Sequence, residues 1–389
     1  MLKETKILIV GAGIAGSVCA LALEKKGFRP DIIELRPRHV KVRSSITLQG
    51  AGMSVAKKLG VYEDIEKLSA NFKRYIISTK EDSVLKNIDM SNLEFNSTTA
   101  PREFFTQTFL NQLKYSKVVH KEKVSSFEEK ENGILVHFIS GQSKLYDIII
   151  GADGVHSQTR KHFFPNSKEY YTGGLLIGFE IPQGIALPPI SEVAEKWGNR
   201  CMFGYYGMRN IDGEPTHAIA FCLKCEQKPK KRLSDTQVKK ILLDNFSDFK
   251  NPLLRQILNN LPSIDEMYVS FMTNVPATNT WFNSRVCLLG DAAHAILPTA
   301  GMGASLASIG AYKLADAIAT EAIAKDAFQK YHKSHLPFVQ KIQKEGLLLL
   351  KIMTASRPWS KVRNFVLKIT PSSVFTDRLQ NAGQQEIIN

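Results

Sequence analysis

The sequence predicts an α/β protein in which a parallel-sheet lobe is interrupted by an inserted, mostly antiparallel β-sheet and followed by a C-terminal helical segment. Three observations predict this fold. The first 34 residues form a compact strand–helix–strand unit, residues 166–275 contain short stretches of alternating apolar residues, and a buried type of strand returns at "RVCLLGD". We therefore expect a discontinuous first domain at residues 1–165 and 276–335, an inserted domain at 166–275 that part of 70–100 joins, and a helical region at 336–389.

The composition is that of an ordinary globular protein, because 43% of the 389 residues are hydrophobic and 23% are charged. No apolar run approaches the roughly 18 residues that a membrane-spanning helix needs. The chain enters a strand at once, without a signal-peptide pattern, and its five cysteines are scattered, so we expect a cytoplasmic location. The net charge of +14 favours anionic cofactors, substrates or membrane surfaces, whereas the lack of a nucleic-acid-binding motif predicts no nucleic-acid partner.

The first glycine-rich stretch, "KILIVGAGIAG", joins a short apolar strand to a helix. Gly11 allows a tight turn, Gly13 lets a pyrophosphate approach the backbone, and Gly16 lets the helix pack closely on the strand. The free N–H groups at the start of the helix favour phosphate. Glu34 ends the second strand, where a carboxylate can accept hydrogen bonds from ribose hydroxyls. This spacing predicts a dinucleotide-binding unit and leaves FAD and NAD both open.

Two further motifs also follow strands. "YDIIIGADGVHSQTR" places Asp153 and Gly154 at the end of one strand and Arg160 in the helix after it. "LLGDAAHAILPTAGMG" places Gly290 and Asp291 after another strand, and its last glycines open a long helix. An aspartate at this second place can hold a sugar-alcohol chain, and backbone amides at the start of the helix can face electron-rich atoms of a flavin.

These three motifs, in this order and at this spacing, resemble the single-component (class A, para-hydroxybenzoate hydroxylase-type) FAD-dependent monooxygenases. The resemblance covers roughly residues 5–345, and "SIGAYKLADAI" and "YHKSHLPFVQ" are similar to the tetracycline-inactivating branch. It implies a Rossmann-like FAD-binding domain with an inserted substrate domain. The cofactor-binding residues that it implies are Gly11, Gly13, Ile14, Ala15, Gly16, Glu34, Leu35, Arg43, Arg102, Asp153, Gly154, Arg160, Gly290, Asp291, Pro298, Gly301, Met302, Gly303 and Ala304.

The resemblance also implies the chemistry. NAD(P)H binds transiently and reduces FAD, O₂ adds at the flavin C4a atom to give a hydroperoxide, and the distal oxygen passes to the substrate in a hydroxylation or epoxidation. No catalytic side chain is required, because the backbone of Gly301, Met302 and Gly303 lies near the flavin. The expected substrate is an aromatic or polycyclic small molecule, such as a tetracycline. The strand residues expected to line its pocket are Phe179, Met202, Gly204 and Tyr206.

The sequence departs from the family pattern at three points. Met302 replaces a glutamine, Ser305 replaces an asparagine, and Gly310 replaces the acidic residue of an acidic–Ala pair in the next turn. These departures leave FAD binding in place, since backbone amides serve equally well, but they put the position of the flavin in question. The arginine expected after the ribose carboxylate is also undecided among Arg36, Arg38 and Arg43.

Several interpretations stay open. Arg102 and Arg160 fit contacts with phosphate or ribose and, equally, ion pairs with carboxylates. His294 fits either a place near the flavin or a packing role. An FAD-dependent reductase of a lipid or isoprenoid substrate, resembling the geranylgeranyl reductases, is an alternative activity. A non-catalytic flavin-containing binder of ligands or membranes is an alternative to an enzyme.

The C-terminal region is strongly basic, and its charges alternate with apolar stretches such as "LLLL" and "NFVL". The only acidic residue between 341 and 368 is Glu345. Such a region can contact an anionic membrane peripherally. The other interpretation is a helix docked on the enzyme with its basic side in water. The basic residues concerned are Lys341, Lys344, Lys351, Arg357, Lys361, Arg363 and Lys368.

Overall fold

The computed structural model describes residues 1, 3–38, 44–92, 97–278 and 280–376. Its first lobe is built on a sheet in which every neighbouring pair of strands is parallel. Because helices cover this sheet, three neighbouring strands, those at residues 7–10, 148–151 and 286–288, are apolar and buried over their whole length. In spatial order the strands are β17 (Val286–Leu288), β11 (Ile148–Gly151), β1 (Ile7–Val10), β2 (Asp31–Glu34) and β7 (Val118–His120).

The helices of this lobe centre on α1 (Ile14–Lys25), which packs against α9 (Gly303–Thr320) and α4 (Arg102–Leu110). Because it has neighbours on several sides, α1 is apolar around its whole circumference and buried at all positions except Lys25. The remaining helices of this lobe are α2 (Gly50–Lys58), α3 (Tyr62–Glu66), α5 (Gln158–Phe163) and α8 (Asp291–His294).

Two small antiparallel sheets complete the lobe. One contains β8 (Val124–Lys130), β9 (Gly133–Phe138) and β10 (Ser143–Tyr146), with β9 in the middle. The other pairs β3 (Ser45–Leu48) with β6 (Thr98–Pro101).

The second lobe is a seven-stranded sheet that is antiparallel except where β13 pairs with β4. Its last two strands come from residues 74–89, within the segment 70–100 of which part was expected to join the inserted domain. In spatial order the strands are β16 (Tyr268–Asn274), β12 (Tyr170–Glu180), β15 (Pro215–Lys224), β14 (Cys201–Arg209), β13 (Glu192–Trp197), β4 (Arg74–Thr79) and β5 (Val84–Asp89).

The two faces of the seven-stranded sheet have different neighbours. Its outer face is covered by α6 (Asp235–Phe246) and α7 (Pro252–Asn259), two helices that the sequence analysis did not predict, around a core that includes Phe203 and Phe221. Its inner face packs on Leu297, from the loop after α8, and on the long helix α10 (Ala324–Met353). The inner face is therefore the one that meets the first lobe.

The long helix α10 ties the lobes together through Gln343, which is buried. Its amide donates to the carbonyls of Val275 at 2.6 Å and Ala295 at 3.2 Å, and its oxygen accepts the Ala277 N–H at 3.0 Å. The final helix, α11 (Trp359–Ile369), packs on β5. Within the described ranges, no helix combines the length and the apolarity that a bilayer crossing requires.

Candidate cofactor and substrate site

The functional motifs lie side by side at one edge of the parallel sheet. In a parallel sheet the carboxyl ends of the strands meet at the same edge, and β17, β11, β1 and β2 are consecutive neighbours. The glycine-rich turn follows β1, Asp153 follows β11, Asp291 follows β17, and Glu34 ends β2. Motifs that are up to about 280 residues apart in sequence are thus brought together, and we call this place the cofactor edge.

The glycines of the first motif meet distinct steric demands. Gly11 has a φ of +101°, and a Cβ there would lie 2.5 Å from the Ala152 carbonyl oxygen. A Cβ on Gly16 would lie 1.9 Å from the Gly11 oxygen, so helix and strand approach too closely for any side chain. A Cβ on Gly13 would have its nearest neighbour at 3.4 Å, in the guanidinium of Arg102. Gly11 and Gly16 are therefore required by the fold, whereas Gly13 leaves open backbone at the start of α1.

Glu34 lies directly beside this turn. One carboxylate oxygen accepts the Ala12 N–H at 2.9 Å, and the other accepts the Arg36 backbone N–H at 2.9 Å and its Nε at 3.2 Å. Burial acts to raise the pKa of Glu34, but the hydrogen bonds from Arg36 and Ala12 and the Arg36 charge lower it overall. Glu34 is therefore a fixed, ionised acceptor, and the neighbouring Leu35 is exposed.

The arginines around the cofactor edge have different partners. Arg36 pairs with Glu34, Arg38 is exposed, and Arg43 lies outside the described residues. Arg102 starts α4, and among the residues that the structure describes no carboxylate forms a salt bridge with it. The guanidinium of Arg102 thus faces the open backbone of Gly13, where a phosphate would be attracted.

The second motif holds the backbone in place. The Asp153 carboxylate accepts hydrogen bonds from the Gln158 N–H at 2.8 Å, the Thr159 N–H at 3.0 Å and the Ser157 hydroxyl. It therefore caps α5 rather than pointing freely at a ligand. Gly154, with a φ of +78°, has open space where its Cβ would be, so the turn next to Asp153 is accessible.

Arg160 connects the second motif to the third. It is fully buried and donates to the Ala292 carbonyl in α8 at 2.9 Å, to the Val155 carbonyl at 2.6 Å and to the Glu169 carboxylate at 2.5 Å. Of the two interpretations that the sequence left open, the structure shows the ion pair with a carboxylate. Arg160 fixes the spacing between the two motifs.

Gly290 and Asp291 bring the third motif against the first. Gly290 has a φ of +59°, and a Cβ there would lie 2.8 Å from the Ala15 Cβ in α1. Asp291 begins α8 and is exposed, so its carboxylate is accessible to a ligand. Surrounding protein raises the pKa of the Asp291 carboxyl, and the charges of Arg102 and Arg160 oppose that rise.

The helix α9 begins at the last glycines of this motif, and two of the departures from the family pattern lie there. Met302 is buried with its side chain in the core, so only its backbone can face a ligand. Ser305 is buried, and its hydroxyl accepts the backbone N–H of Gln49 at 2.9 Å. The Gln49 amide nitrogen lies 3.3 Å from the Cβ position of Gly301, which has a φ of +65°. Gln49 is a residue of the cofactor edge that the sequence analysis missed.

The third departure, Gly310, makes room for a buried histidine. A Cβ on Gly310 would lie 2.9 Å from His335 Nε2 and 3.3 Å from the Tyr331 hydroxyl. His335 in turn packs on His294, with ring centroids 5.2 Å apart, and burial lowers the pKa of His294 to about 4. His294 is thus a neutral, packed side chain, which fits the packing role and not a flavin contact.

The predicted substrate residues divide between the two faces of the sheet. Phe179 lies on the outer face and packs on Phe221 with ring centroids 5.8 Å apart, in the core under α6. Met202, Gly204 and Tyr206 lie on the inner face. Met202 belongs to the same apolar cluster as Leu297, so the inner face reaches the third motif. The structure therefore does not bring Phe179 together with the other three.

A buried carboxylate on the inner face was not predicted. Glu195 lies opposite Gly204 in the β13–β14 pair and accepts the Tyr206 hydroxyl at 2.9 Å and the Trp197 Nε1–H at 2.8 Å. Burial raises the pKa of Glu195, against the hydrogen bonds from Trp197, Tyr206 and Tyr75 that act to lower it. The signal was present in "EVAEKW", since the inward positions of that strand alternate through Val193, Glu195 and Trp197.

The cofactor edge fits FAD on structural grounds. Gly13 leaves the space that a Cβ would fill, α1 begins there with free amides, and Glu34 and Asp291 offer acceptors at opposite ends of the edge. The fold and this site define a dinucleotide-binding flavoprotein whose cofactor edge is roofed by a second sheet. A model of the FAD binding domain family matches residues 4–173 and 256–345, and the chain belongs to this family.

Comparisons with individual proteins agree with this assignment. A flavin-dependent monooxygenase of Legionella longbeachae is 27% identical over 355 residues, with 89% of each chain covered. The crystal structure of the tetracycline destructase Tet(51) superposes with a TM-score of 0.78 at 24% identity, covering 99% of both chains. Klebsiella pneumoniae HpxO in complex with FAD and uric acid gives a TM-score of 0.88 at 18% identity, covering 99% of this chain and 98% of that one. The protein is a class A FAD-dependent monooxygenase.

Proposed function

We propose that this monooxygenase uses NAD(P)H and O₂ to insert one oxygen atom into an aromatic or polycyclic small molecule, by hydroxylation or epoxidation. The observation that carries the proposal is the position of the cofactor edge beneath the inner face of the seven-stranded sheet. Leu297, which follows the third motif's short helix, packs into the apolar cluster on that face. FAD, when bound, supplies the electron transfer from NAD(P)H and the activation of O₂. The similarity to a tetracycline destructase makes tetracyclines the first substrates to test.

The adenine end of FAD would be held by groups around the first motif. The backbone N–H groups of Ile14, Ala15 and Gly16 at the start of α1 would hold the pyrophosphate. Glu34, kept ionised by its hydrogen bonds, would accept the ribose hydroxyls. Arg102 would neutralise phosphate charge from the opposite side of Gly13.

The flavin end would be held by the third motif. Asp291 is the exposed carboxylate available to the ribityl hydroxyls. The ring system would be faced by backbone, because the side chain of Met302 turns into the core. The residues concerned are Pro298, Gly301, Gly303 and Ala304. The amide of Gln49 lies next to Gly301 and would donate a further hydrogen bond there, in the place of the glutamine that Met302 replaces.

The substrate would be bound between the cofactor edge and the inner face of the sheet. Met202, Cys222 and Met272 belong to the apolar cluster on this face and would exclude water from the reacting atoms. Tyr206, held by Glu195, offers a polar group at the side of this surface and would orient a substrate hydroxyl or carbonyl. An apolar wall with few polar groups suits a planar ring system better than a sugar or a peptide.

The two alternatives that the sequence analysis left open predict different outcomes in the test below. A reductase of a lipid or isoprenoid would use the same cofactor edge and the same apolar surface but would leave no oxygen in its product. A non-catalytic flavin-containing binder would not consume NAD(P)H in the presence of any ligand. We favour the monooxygenase because the relatives that the chain matches over about nine-tenths of its length are flavin-dependent monooxygenases.

The test is oxygen incorporation from ¹⁸O₂. The purified protein is mixed anaerobically with NADPH and a panel of tetracyclines and other polycyclic phenols, and flavin bleaching identifies the compounds that accelerate reduction. Admission of ¹⁸O₂ should then give a product heavier by one labelled oxygen atom in mass spectrometry. A reduced product without label would favour the reductase, and NADPH that is never oxidised would favour the binder.

A further inference from the structure

The C-terminal helix α11 buries polar residues and exposes apolar ones. The side that it turns to the protein carries Ser360 and Arg363, both buried. Its exposed side carries large apolar residues, with Trp359 67% exposed and Phe365 and Ile369 each 63% exposed. A helix on a globular protein ordinarily buries its apolar stripe and exposes its charges. The sequence-based expectation that α11 docks with its basic side in water describes only part of its surface.

This orientation is fixed by polar contacts on the inner side. The Arg363 guanidinium donates to the carbonyls of Met353 at 3.0 Å, Ile352 at 3.2 Å and Gly198 at 3.0 Å, and it lies over the Trp197 ring. The amine of Lys86, on β5, donates to the Lys368 carbonyl at 3.2 Å at the end of α11. A buried guanidinium with three carbonyl acceptors is costly to release, so the helix cannot simply roll its apolar side inward.

The exposed apolar residues form one continuous stripe. At 100° per residue, they fall within an arc of about 120° on the helix. Val374, a few residues after the helix, is another exposed apolar residue. Monomeric proteins rarely leave such a stripe uncovered, which points to a partner. The residues of this stripe are Trp359, Val362, Phe365, Val366 and Ile369.

The charges next to the stripe select the kind of partner. Lys361 and Lys368 are exposed and, being seven residues apart, lie on the same side of α11 at the border of the stripe. Arg357 and Lys351 are also exposed in the approach to the helix. A second copy of the chain would bring these positive charges against one another. An anionic lipid surface would take both the apolar stripe and the lysines.

We propose that the protein binds anionic membrane surfaces through α11, which lies in the plane of the lipid headgroups with its apolar stripe inserted. Trp359 and Phe365 enter the boundary of the acyl chains, and Lys361 and Lys368 contact lipid phosphates. Since α11 packs on β5, this edge of the seven-stranded sheet would be held next to the membrane. This inference does not depend on the proposed oxygenation of a polycyclic substrate.

The experiment uses tryptophan fluorescence of the full-length, FAD-loaded protein. The chain has three tryptophans, and Trp197 and Trp281 are only 5% and 2% exposed, so a solvent-dependent change in emission reports on Trp359. Vesicles of phosphatidylcholine containing a quarter phosphatidylglycerol should shift the emission to the blue, and pure phosphatidylcholine vesicles should not. In Trp359→Phe the shift should disappear.

Two sets of variants separate the stripe from general charge. Lys361→Gln with Lys368→Gln should weaken vesicle co-sedimentation roughly thirtyfold, since each lysine near an anionic surface contributes about a factor of five. The matched control is Lys228→Gln with Lys231→Gln, which removes the same charge from the exposed loop that precedes α6. It should change binding less than about twofold. Phe365→Ser with Ile369→Ser should abolish co-sedimentation while FAD content stays unchanged.

Three results would overturn the proposal. The first is the absence of a blue shift with anionic vesicles at low ionic strength. The second is an equal loss of binding in the control pair, which would assign the effect to net charge alone. The third is a dimer in light scattering that Phe365→Ser dissociates, because the stripe would then be covered by a second copy of the chain.

Discussion

The cofactor edge and the inner face of the seven-stranded sheet are built in opposite ways. At the cofactor edge, the determining features are backbone turns and amides, and side chains such as Met302 turn away into the core. On the inner face, the determining features are side chains that meet across strands, such as Glu195 with Tyr206. Backbone sites are encoded by a few consecutive residues, whereas side-chain sites depend on strand register. The difference explains why one region is evident from the sequence and the other is not.

The largest effect is expected at Gly16, where an added Cβ would lie 1.9 Å from the Gly11 oxygen. Gly16→Val should reduce the free energy of unfolding by roughly 3 kcal/mol or more and abolish FAD binding together. Gly13→Val is the matched control, because its Cβ would meet no atom closer than 3.4 Å. It should lose FAD but keep the thermal stability of the FAD-free protein in calorimetry. Equal stability losses in both variants would contradict the distinction between fold glycine and cofactor glycine.

The next largest effect is expected at Arg160, which links two motifs of the cofactor edge. Arg160→Met removes the donor to the Ala292 and Val155 carbonyls and the ion-pair partner of the Glu169 carboxylate, at a cost of about 3 kcal/mol in the free energy of unfolding. Urea unfolding measures this change. Arg160→Lys should recover only part of it, because a single ammonium group lacks the spread of N–H donors by which the guanidinium reaches Ala292, Val155 and Glu169 at once. Full recovery with lysine would show that charge alone is required.

Glu34 tests the adenine end without disturbing the fold. Glu34→Gln should weaken FAD binding roughly tenfold to a hundredfold, since a charged acceptor is replaced by a neutral one. The pKa of Glu34 is lowered, so its contribution is present above the ordinary value of 4.5 and is lost as pH falls through the lowered value. The difference in FAD affinity between the two proteins should therefore shrink at acidic pH in fluorescence titrations. A pH-independent difference would contradict the assigned role.

The smallest effect is expected at Glu195 on the inner face, in the pH dependence of stability. The pKa of Glu195 is raised by burial, so the folded protein keeps a proton that the unfolded chain releases above about 4.5. The wild-type protein should therefore lose stability relative to Glu195→Gln as pH rises from 4.5 to the raised value, and no further above it. Both proteins should bind FAD equally well. Thermal unfolding across this pH range measures the difference, and an opposite slope would show an ionised carboxylate with compensating hydrogen bonds.

The parts of the fold that follow local rules were predictable. Gly11, Gly16 and Gly290 each permit a turn or a close approach that any side chain would block, so their spacing alone indicates the parallel sheet and its edge. The role of Asp153 was not evident, since its neighbours Ser157 and Thr159 bind its carboxylate only once α5 has formed. The contacts implied for the individual cofactor residues stay predictions until a ligand is bound.

Masked local signals and long-range contacts account for the elements that the sequence analysis did not predict. Helices α6 and α7 carry ordinary start signals at Ser234 and Asn251, but the alternating strands on both sides masked them. Gln49 approaches Gly301 from a segment about 250 residues earlier in the chain, which no local pattern reveals. The orientation of α11 is decided by Arg363, whose carbonyl partners lie outside the helix, so its exposed apolar stripe could not be recognised from periodicity.

The most direct test of the account is the visible spectrum of the purified protein before and after anaerobic addition of NADPH. The account predicts about one bound oxidised FAD per chain, bleached slowly by NADPH alone and faster when an accepted polycyclic substrate is present. Binding of FAD should be lost in Gly13→Val. A protein that shows no flavin absorbance even after incubation with excess FAD would contradict the assignment of the cofactor edge and, with it, the proposed function.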